Sequence, residues 1–218
     1  MPRRLTPFLP EQYYHLYNRG VNRQAVFFEA ENYLFFLRGV RKHLLPLVSV
    51  IAYCLMPTHY HLLVRVKQQK AETSEVLETS EVSEVSKQVS RAMQRFLISY
   101  TKAINKRFDR VGALFQGAFQ AKPVASYAHL LNLCACIHAN PVKDGLVERP
   151  QDWLYSNYLE WLGQRDGTLC DKEFIAEHFE TSEAYAAFVA EYLSTRRLPE
   201  EVAKYLQALE DCLRLPKS

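Results

Sequence analysis

The sequence predicts an α+β fold in which a small antiparallel sheet carries helices on one face. Segments with strand character and segments with helical periodicity follow the order strand, helix, strand, strand, helix, strand, helix, and further helices come after them. The length of 218 residues suits one domain with a small appendage. With 48% hydrophobic and 23% charged residues, the composition is typical of a globular protein and not of a disordered chain.

The first half of the chain contains a strand, a helix and a hairpin. Residues 13–19 (YYHLYNR) are rich in β-forming side chains, which predicts the first strand. Residues 31–45 carry apolar side chains at helical spacing and end before Pro46. Two apolar, β-rich runs at 47–56 and 59–67 are separated by a Pro-Thr turn, so we expect them to pair as a hairpin.

The second half begins with a segment of low-complexity sequence and continues with predicted helices and a strand. Residues 71–86 repeat the sequence ETSEV, which predicts a solvated insertion or a fraying helix start outside the core. An amphipathic helix is predicted over 89–108 and a strand over 113–124. A further helix is predicted from an N-cap at Ser126 to Asn140, where the following proline disfavours helical geometry.

The charge is distributed unevenly, although the net charge is only +3. Residues 1–70 contain ten basic and three acidic side chains, and residues 87–122 contain eight basic and one acidic. Residues 171–218 reverse the balance, with ten acids and six bases. A basic body with an acidic tail region is compatible with a polyanionic partner such as nucleic acid.

The cysteines and the apolar runs indicate a cytoplasmic protein. The five cysteines form no CxxC pair, so neither a zinc knuckle nor a disulfide framework is expected. The sequence has neither the apolar core of a signal peptide nor an apolar run of membrane-spanning length, so we expect no membrane association. A homo-oligomer is compatible with the sequence, but nothing in it indicates one.

Two histidines stand two residues apart in MPTHYHLLVRV, at the start of the second hairpin strand. Successive side chains of a strand point to opposite faces, so His59 and His61 are expected on the same face. Two adjacent imidazoles form half of a metal site. At this point, a pair of ordinary strand histidines is an equal alternative.

The last predicted helix of the body ends in LCACIHANPV, which contains four candidate polar or sulfur ligands. At about 100° per residue, Cys134 and His138 fall on the apolar side and Cys136 and Asn140 on the opposite side. We expect Cys134 to be a small buried hydrophobic residue and His138 to be a packed, hydrogen-bonded core residue. The amide oxygen of Asn140 is a suitable third ligand beside two imidazoles.

Five stretches in one order make the chain resemble the HUH-class single-strand transposases, specifically the REP-associated tyrosine transposases. They are YHLYNRGVNRQAVFF, MPTHYHLLVRV, YTKAINKRF, GALFQGAFQAKPV and IHANPVKDGLVERPQDWLYSNYLEWLG. The resemblance covers residues 13–163. It implies a ferredoxin-like DNA-binding and nuclease domain over 1–163, interrupted by the insertion at 71–86, with a helical C-terminal extension over 164–218.

The resemblance also implies a metal site and a DNA partner. Mg²⁺ or Mn²⁺ would be held by His59, His61 and Asn140, and would polarise a phosphodiester of single-stranded or hairpin DNA. In that family a tyrosine one turn before the asparagine attacks the phosphorus and forms a 5′-phosphotyrosyl intermediate. The residues expected to contact DNA are Asn18, Arg19, Asn22, Arg23, Arg91, Arg95, Lys102, Lys106 and Arg107.

The sequence departs from the family pattern at the nucleophile. Cys136 stands at the tyrosine position, and Ala118 and Gln120 stand where the family commonly has basic residues. We therefore expect a transposase-family protein that binds DNA and is impaired in cleavage and strand transfer.

Three ways of retaining cleavage stay open. Cys136 could attack as a thiolate, another tyrosine such as Tyr100 or Tyr127 could replace the missing one, or metal-bound water could hydrolyse the phosphodiester. Helical phase puts Tyr100 on an apolar stripe and Tyr127 opposite Cys136, so packing is the expected role of both. No Asp or Glu adjoins the histidine pair to act as a base for hydrolysis.

Overall fold

A four-stranded antiparallel sheet forms the centre of the protein. The computed structural model describes residues 6–68, 78–195 and 199–213. The strands are β1 (Tyr13–Arg19), β2 (Val48–Met56), β3 (His59–Val66) and β4 (Gln120–Pro123), in the order β2-β3-β1-β4. Every neighbouring pair is antiparallel. The predicted α+β class and ferredoxin-like sheet are confirmed.

Seven helices accompany the sheet in the described part of the chain. They are α1 (Ala30–His43), α2 (Glu78–Arg107), α3 (Tyr127–Lys143), α4 (Tyr158–Trp161), α5 (Lys172–His178), α6 (Ser182–Thr195) and α7 (Glu200–Leu213). Short 3-10 turns occur at Val21–Arg23 and Pro150–Asp152. Among these helices, none is both long enough and apolar enough to cross a membrane.

The helices cover both faces of the sheet, whereas the sequence predicted helices on one face only. Apolar residues of α1 and α2 share a core with Tyr14, Leu16 and Leu62 of the sheet. Residues of α3, α6 and α7 share a second core with Tyr17 and Leu63. Because consecutive strand residues point to opposite faces, these two cores lie on opposite sides of the sheet. The sheet is therefore the middle layer of the protein, and the C-terminal helices help to cover its second face.

Three element boundaries differ from the sequence prediction. The helix predicted over 89–108 begins at Glu78, so part of the ETSEV segment is helical, while residues 71–77 lie outside the described residues. Val85 is buried in the first core, so the prediction that this segment contributes nothing to the core is wrong. The strand predicted over 113–124 is continuous only at Gln120–Pro123, and Phe115 adds an isolated antiparallel bridge to Gly20.

The third boundary lies at Pro141, where the helix was predicted to stop. α3 passes through this proline and ends at Lys143. Pro141 lacks the N–H that would bond one turn back, but its side chain is buried. The packing of the ring offsets the lost hydrogen bond in the last turn. The predicted N-cap is confirmed, since the Ser126 hydroxyl accepts a hydrogen bond from the His129 N–H.

A buried amide joins α3 to the sheet. The register of β2 shifts between Val50 and Ala52, and the carbonyl of Ile51 at this shift accepts a hydrogen bond from Asn157 Nδ2 at 2.8 Å. Asn157 Oδ1 accepts from the Tyr53 N–H at 2.6 Å and lies 2.9 Å from His138 Nε2 on α3. Asn157 is 0% exposed. One side chain thus bonds both to β2 and to the helix that packs on it.

We expect Asn157→Ala to lower the free energy of unfolding by about 3 kcal/mol, because it leaves several buried polar groups without partners. The matched control is Asn132→Ala. The Asn132 amide donates only to the Ala128 carbonyl of its own helix, and its loss should cost below about 0.5 kcal/mol. Urea unfolding followed by circular dichroism measures both values. Equal losses in the two variants would contradict the anchoring role of Asn157.

Candidate functional site

The two predicted histidines lie side by side at the start of β3. The ring centroids of His59 and His61 are 5.0 Å apart. Both rings point to the sheet face that α3 covers, because residues 59, 61 and 63 share one side of the strand. His61 is 1% exposed, whereas His59 is half-buried with its Nδ1 3.0 Å from the Thr58 hydroxyl. The strand alternation read from the sequence therefore describes this pair correctly.

A third histidine and a tyrosine, which the sequence analysis missed, extend this pair. His15 Nε2 on β1 lies 2.9 Å from His61 Nδ1, and His15 Nδ1 lies 2.7 Å from the Tyr205 hydroxyl on α7. Alternation along β1 could have indicated His15, which shares a face with Tyr17. No sequence signal points to Tyr205, because it reaches the site only through the packing of α7. His61 Nε2 is buried and has no hydrogen-bond partner within residues 6–68, 78–195 and 199–213.

The site holds its histidines in the neutral form. Burial lowers the pKa of His15 to about 3, assisted by the nearby His129. Burial lowers the pKa of His59 to about 4, and the positive charges of Arg19 and Arg23 act in the same direction. The pKa of His61 lies well below its ordinary value, chiefly through burial and then through the neighbouring histidines and Lys143. Neutral imidazoles carry the lone pairs that a metal ion requires.

One face of α3 lies along this cluster. Cys136 is 3% exposed and belongs to the second core, against which Tyr205 packs. Its neighbours include Cys54 and Tyr205, since Cys136 raises the pKa of both groups after the larger effect of their burial. Asn140 follows one turn later and is half-buried. Lys143, whose charge affects His61, continues the same face, so Asn140 lies between two residues that border the site.

The residues that helical phase assigned to the apolar side of α3 are core residues. Cys134 is completely buried, and this burial raises the pKa of its thiol. His138 is also buried, with its Nδ1 2.5 Å from the Tyr185 hydroxyl. Because Asn157 Oδ1 can only accept, His138 Nε2 donates to it and Nδ1 accepts from Tyr185. Both predictions are confirmed.

Neither alternative tyrosine lies in a position to attack a phosphodiester at the histidines. Tyr100 is buried in the first core, on the opposite face of the sheet, and donates a hydrogen bond to the Val26 carbonyl. Burial raises its pKa, which makes the phenolate less accessible. Tyr127 stacks on His178 with ring centroids 5.5 Å apart, as the expected packing role implies, but it does so at the surface and is 61% exposed. Its position at the first turn of α3 leaves it in solvent.

Basic residues lie at the end of the sheet where β1 ends and β3 begins. Asn22 and Arg23 follow β1 with φ values of 51° and 55°, a left-handed backbone that non-glycine residues rarely adopt. Such strain is typical of functional loops. The side chain of Arg23 has its Nε and Nη2 atoms buried without a hydrogen-bond partner, and its charge reaches His59. Arg19 also acts on His59.

The other residues expected to contact DNA differ in their exposure and in their hydrogen bonds. Asn18 is 4% exposed, donates to the Gly117 carbonyl and accepts from the Arg19 N–H, so it stabilises the loop, and its contact with DNA stays a prediction. The five α2 residues expected to contact DNA are all exposed. At the C-terminal end of the helix, Arg107 forms an ion pair with Glu29, the N-cap of α1, at 3.2 Å. At 1.5 Å per residue, Arg91 lies about 24 Å further along the helix. The α2 residues in question are Arg91, Arg95, Lys102, Lys106 and Arg107.

The donor atoms at the histidine pair fit a divalent metal ion only in part. The orphaned Nε2 of His61 and the adjacent neutral ring of His59 suit a transition-metal ion such as Mn²⁺ better than Mg²⁺, which prefers oxygen ligands. No group of three or more His, Cys, Asp or Glu side chains that could hold a metal occurs among the described residues. The positive charges of Arg19, Arg23 and Lys143 oppose a cation here. Further anionic oxygen ligands are needed to complete such a site.

The comparisons with known proteins concern the fold. No protein-family model and no curated protein matches the chain. The chain is similar to a solved REP-associated tyrosine transposase bound to a REP hairpin, with a TM-score of 0.50 and 15% identity over 78% of this chain and 98% of that one. A bacterial tRNA(His) guanylyltransferase (Thg1)-like protein in complex with GTP gives a TM-score of 0.37 and 10% identity over 65% and 71% of the two chains. The first likeness shows that this chain has a transposase-like fold.

The buried neutral histidines predict that acid destabilises the protein. Burial lowers the pKa of His138 to about 4, below the unfolded value of 6.5, so the unfolded chain binds this proton first. As the pH falls from 6.5 to 4, His138 should reduce the free energy of unfolding by up to about 1.4 kcal/mol per pH unit. Urea unfolding of the wild type and of His138→Gln across this range measures the contribution. The variant should show a shallower pH dependence, and parallel curves would contradict the prediction.

Proposed function

We propose that the protein binds single-stranded or hairpin DNA at the end of its sheet and does not transfer strands. A DNA phosphate would lie against Arg23 and the histidine pair. The adjoining bases would lie on the protein surface next to these residues. In this proposal residues 1–163 form the DNA-binding domain, and the helices within 164–218 support it by covering the second face of the sheet. The transposase-like fold is compatible with this function.

The observation that carries the proposal is the guanidinium of Arg23. Among the described residues, two of its nitrogens are buried without a partner near His59, in a loop with left-handed backbone at two consecutive residues. Buried N–H groups without an acceptor are costly, and an arginine fork pairs well with the two oxygens of a phosphate. The site favours a phosphate over a carboxylate as the anionic ligand, because Arg19 and Lys143 add further positive charge around the histidines.

A divalent ion fits this proposal when the phosphate is present. His59, His61 and Asn140 would hold the ion, and the phosphate oxygens would supply the negative charge that the protein side chains lack. The ion would add Lewis acidity at the phosphate. The surrounding cations repel a metal ion in the absence of DNA, and the negative charge of a bound phosphate offsets this repulsion. Metal and DNA are therefore expected to bind together, with Mn²⁺ preferred to Mg²⁺.

The absence of strand transfer follows from the nucleophile position. Cys136 occupies the place where the family resemblance implies a tyrosine, and it is buried between the sheet and α7. A thiol there reaches neither solvent nor a bound phosphate without movement of α7. Phosphorus is a hard centre, so a sulfur–phosphorus ester is also a poor covalent store. We therefore assign Cys136 no part in catalysis.

We expect Arg23→Ala to raise the Kd for a hairpin DNA with single-stranded flanks about tenfold. Loss of one phosphate contact should also reduce the slope of log K against log salt by about 0.7. Fluorescence anisotropy at several salt concentrations measures both quantities. The control is Arg38→Ala, which removes the same charge from an exposed residue of α1 and should change the Kd less than about twofold. Equal effects of the two variants would remove the support for a phosphate site at Arg23.

We expect the wild-type protein with Mn²⁺ to produce neither a cleaved strand nor a covalent protein–DNA adduct from end-labelled hairpin. Cys136→Tyr should form an adduct at a low rate, because it restores a phenol at the position where the family resemblance implies the nucleophile, although its ring must share the space near Tyr205. A wild-type adduct that is lost in Cys136→Ser would identify a cysteine nucleophile. A cleaved product without an adduct would indicate hydrolysis by water, and either result contradicts the proposal.

A further inference from the structure

The half-buried Tyr205 and the buried His15 and His61, from three separate elements, form one series of hydrogen bonds that ends at the candidate metal ligand. The Tyr205 hydroxyl on α7 lies 2.7 Å from His15 Nδ1, and His15 Nε2 on β1 lies 2.9 Å from His61 Nδ1 on β3. The rings of His15 and His61 are stacked with centroids 5.1 Å apart. The series ends at His61 Nε2, which is buried and has no partner among the described residues.

The hydrogen bonds that join Tyr205, His15 and His61 can run in either of two directions. If the Tyr205 hydroxyl donates to His15, then His15 Nε2 donates to His61, and His61 carries its proton on the buried Nε2. If His15 Nδ1 donates to Tyr205, then His61 Nδ1 donates to His15, and Nε2 presents a lone pair. The two arrangements therefore differ in whether the orphaned atom is a donor or an acceptor.

The surroundings of His61 favour the lone pair. A buried N–H without an acceptor loses its full hydrogen-bond energy, and no residue among those described accepts from this one. The positive charge of Lys143 lies near this ring, and so does His59. A positive charge repels an N–H dipole and attracts a lone pair. A lone pair at Nε2 is also the form that can bind a divalent ion.

We infer that His15 and Tyr205 are positioning residues, which hold His61 in the tautomer and ring orientation that present its Nε2 as a metal ligand. The inference rests on the proposed function, because it concerns the same histidine pair. It assigns a role to α7, which would complete the support of the site from the C-terminal extension. The hydroxyl of Tyr205 would act as the acceptor at the end of the series.

The position of Cys136 explains how Tyr205 can reach this place. Both residues belong to the contacts of the second core, and Cys136 lies close enough to influence the phenol electrostatically. A large side chain at position 136 would occupy the space into which the Tyr205 ring packs. The short cysteine and the inward tyrosine of α7 thus fit one another.

The test is the tautomer of His61 and the affinity for Mn²⁺ in wild type and Tyr205→Phe. Nitrogen-15 NMR of histidine-labelled, metal-free protein distinguishes a protonated Nδ1 from a protonated Nε2, and His61→Gln assigns the signals. We expect Nδ1–H in the wild type and a shift toward Nε2–H in Tyr205→Phe. In the complex with hairpin DNA, Tyr205→Phe should weaken Mn²⁺ binding about 10- to 100-fold, the usual effect of losing an outer-shell partner.

Tyr185→Phe is the matched control, because it removes a tyrosine–histidine hydrogen bond of the same kind at His138. It should change the signals of His138 and leave those of His61 and the Mn²⁺ affinity unchanged. Thermal unfolding of both variants verifies that each remains folded. An effect of equal size on Mn²⁺ in the two variants would overturn the positioning role of Tyr205.

The remaining outcomes separate the inference from the proposed function. A wild-type His61 protonated on Nε2, or unchanged Mn²⁺ affinity in Tyr205→Phe, overturns the inference even where hairpin DNA binds and depends on Arg23. A wild-type protein that does not bind hairpin DNA overturns the proposed function. The NMR result still shows in which direction the hydrogen bonds among Tyr205, His15 and His61 run. A covalent DNA adduct mapped to Tyr205 would make this residue a nucleophile and would overturn the inference.

Discussion

The register shift in β2 leaves the carbonyl of Ile51 in need of partners, and the arrangement of the second sheet face depends on how they are supplied. Asn157 Nδ2 and Trp161 Nε1 both donate to this oxygen. The same Asn157 bonds to His138 of α3. Because buried polar groups are costly when unpaired, this network fixes α3 against β2. The face of α3 that carries Cys136 and Asn140 is thereby held toward the histidines of β3.

This constraint places the histidine pair in an electropositive environment. His59 and His61 are neutral because they are buried, and nearby Arg19, Arg23 and Lys143 add positive charge. Such a site binds neither a proton nor a bare cation well, but it suits a phosphate that brings an ion with it. The proposed DNA binding and the proposed metal binding therefore have one electrostatic cause. The hydrogen bonds from His61 through His15 to Tyr205 connect this electropositive site to α7.

Much of this site could be predicted from periodicity alone. Strand alternation places His59 and His61 on one face, and helical phase separates Cys136 and Asn140 from Cys134 and His138. These predictions succeed because the repeat of a regular element fixes directions independently of what packs against it. The bonds of Asn18 to Gly117 and Arg19 could not be predicted in this way, because they depend on a loop that joins distant segments.

The sequence by itself determined the order of the elements, the α+β class and the side of each element that carries the candidate ligands. Local spacing encodes these features, and local spacing can be read without knowing what any element contacts. Only the tertiary structure decided that helices cover both faces of the sheet, that Arg23 adjoins His59, and that Tyr205 approaches His15. Those contacts join residues up to 190 positions apart, and they arise from the packing of α7 and the loops. The periodicity of a helix or the sequence of a loop does not specify which distant residue it will contact. The contacts that support the candidate site therefore could be seen only in the folded structure.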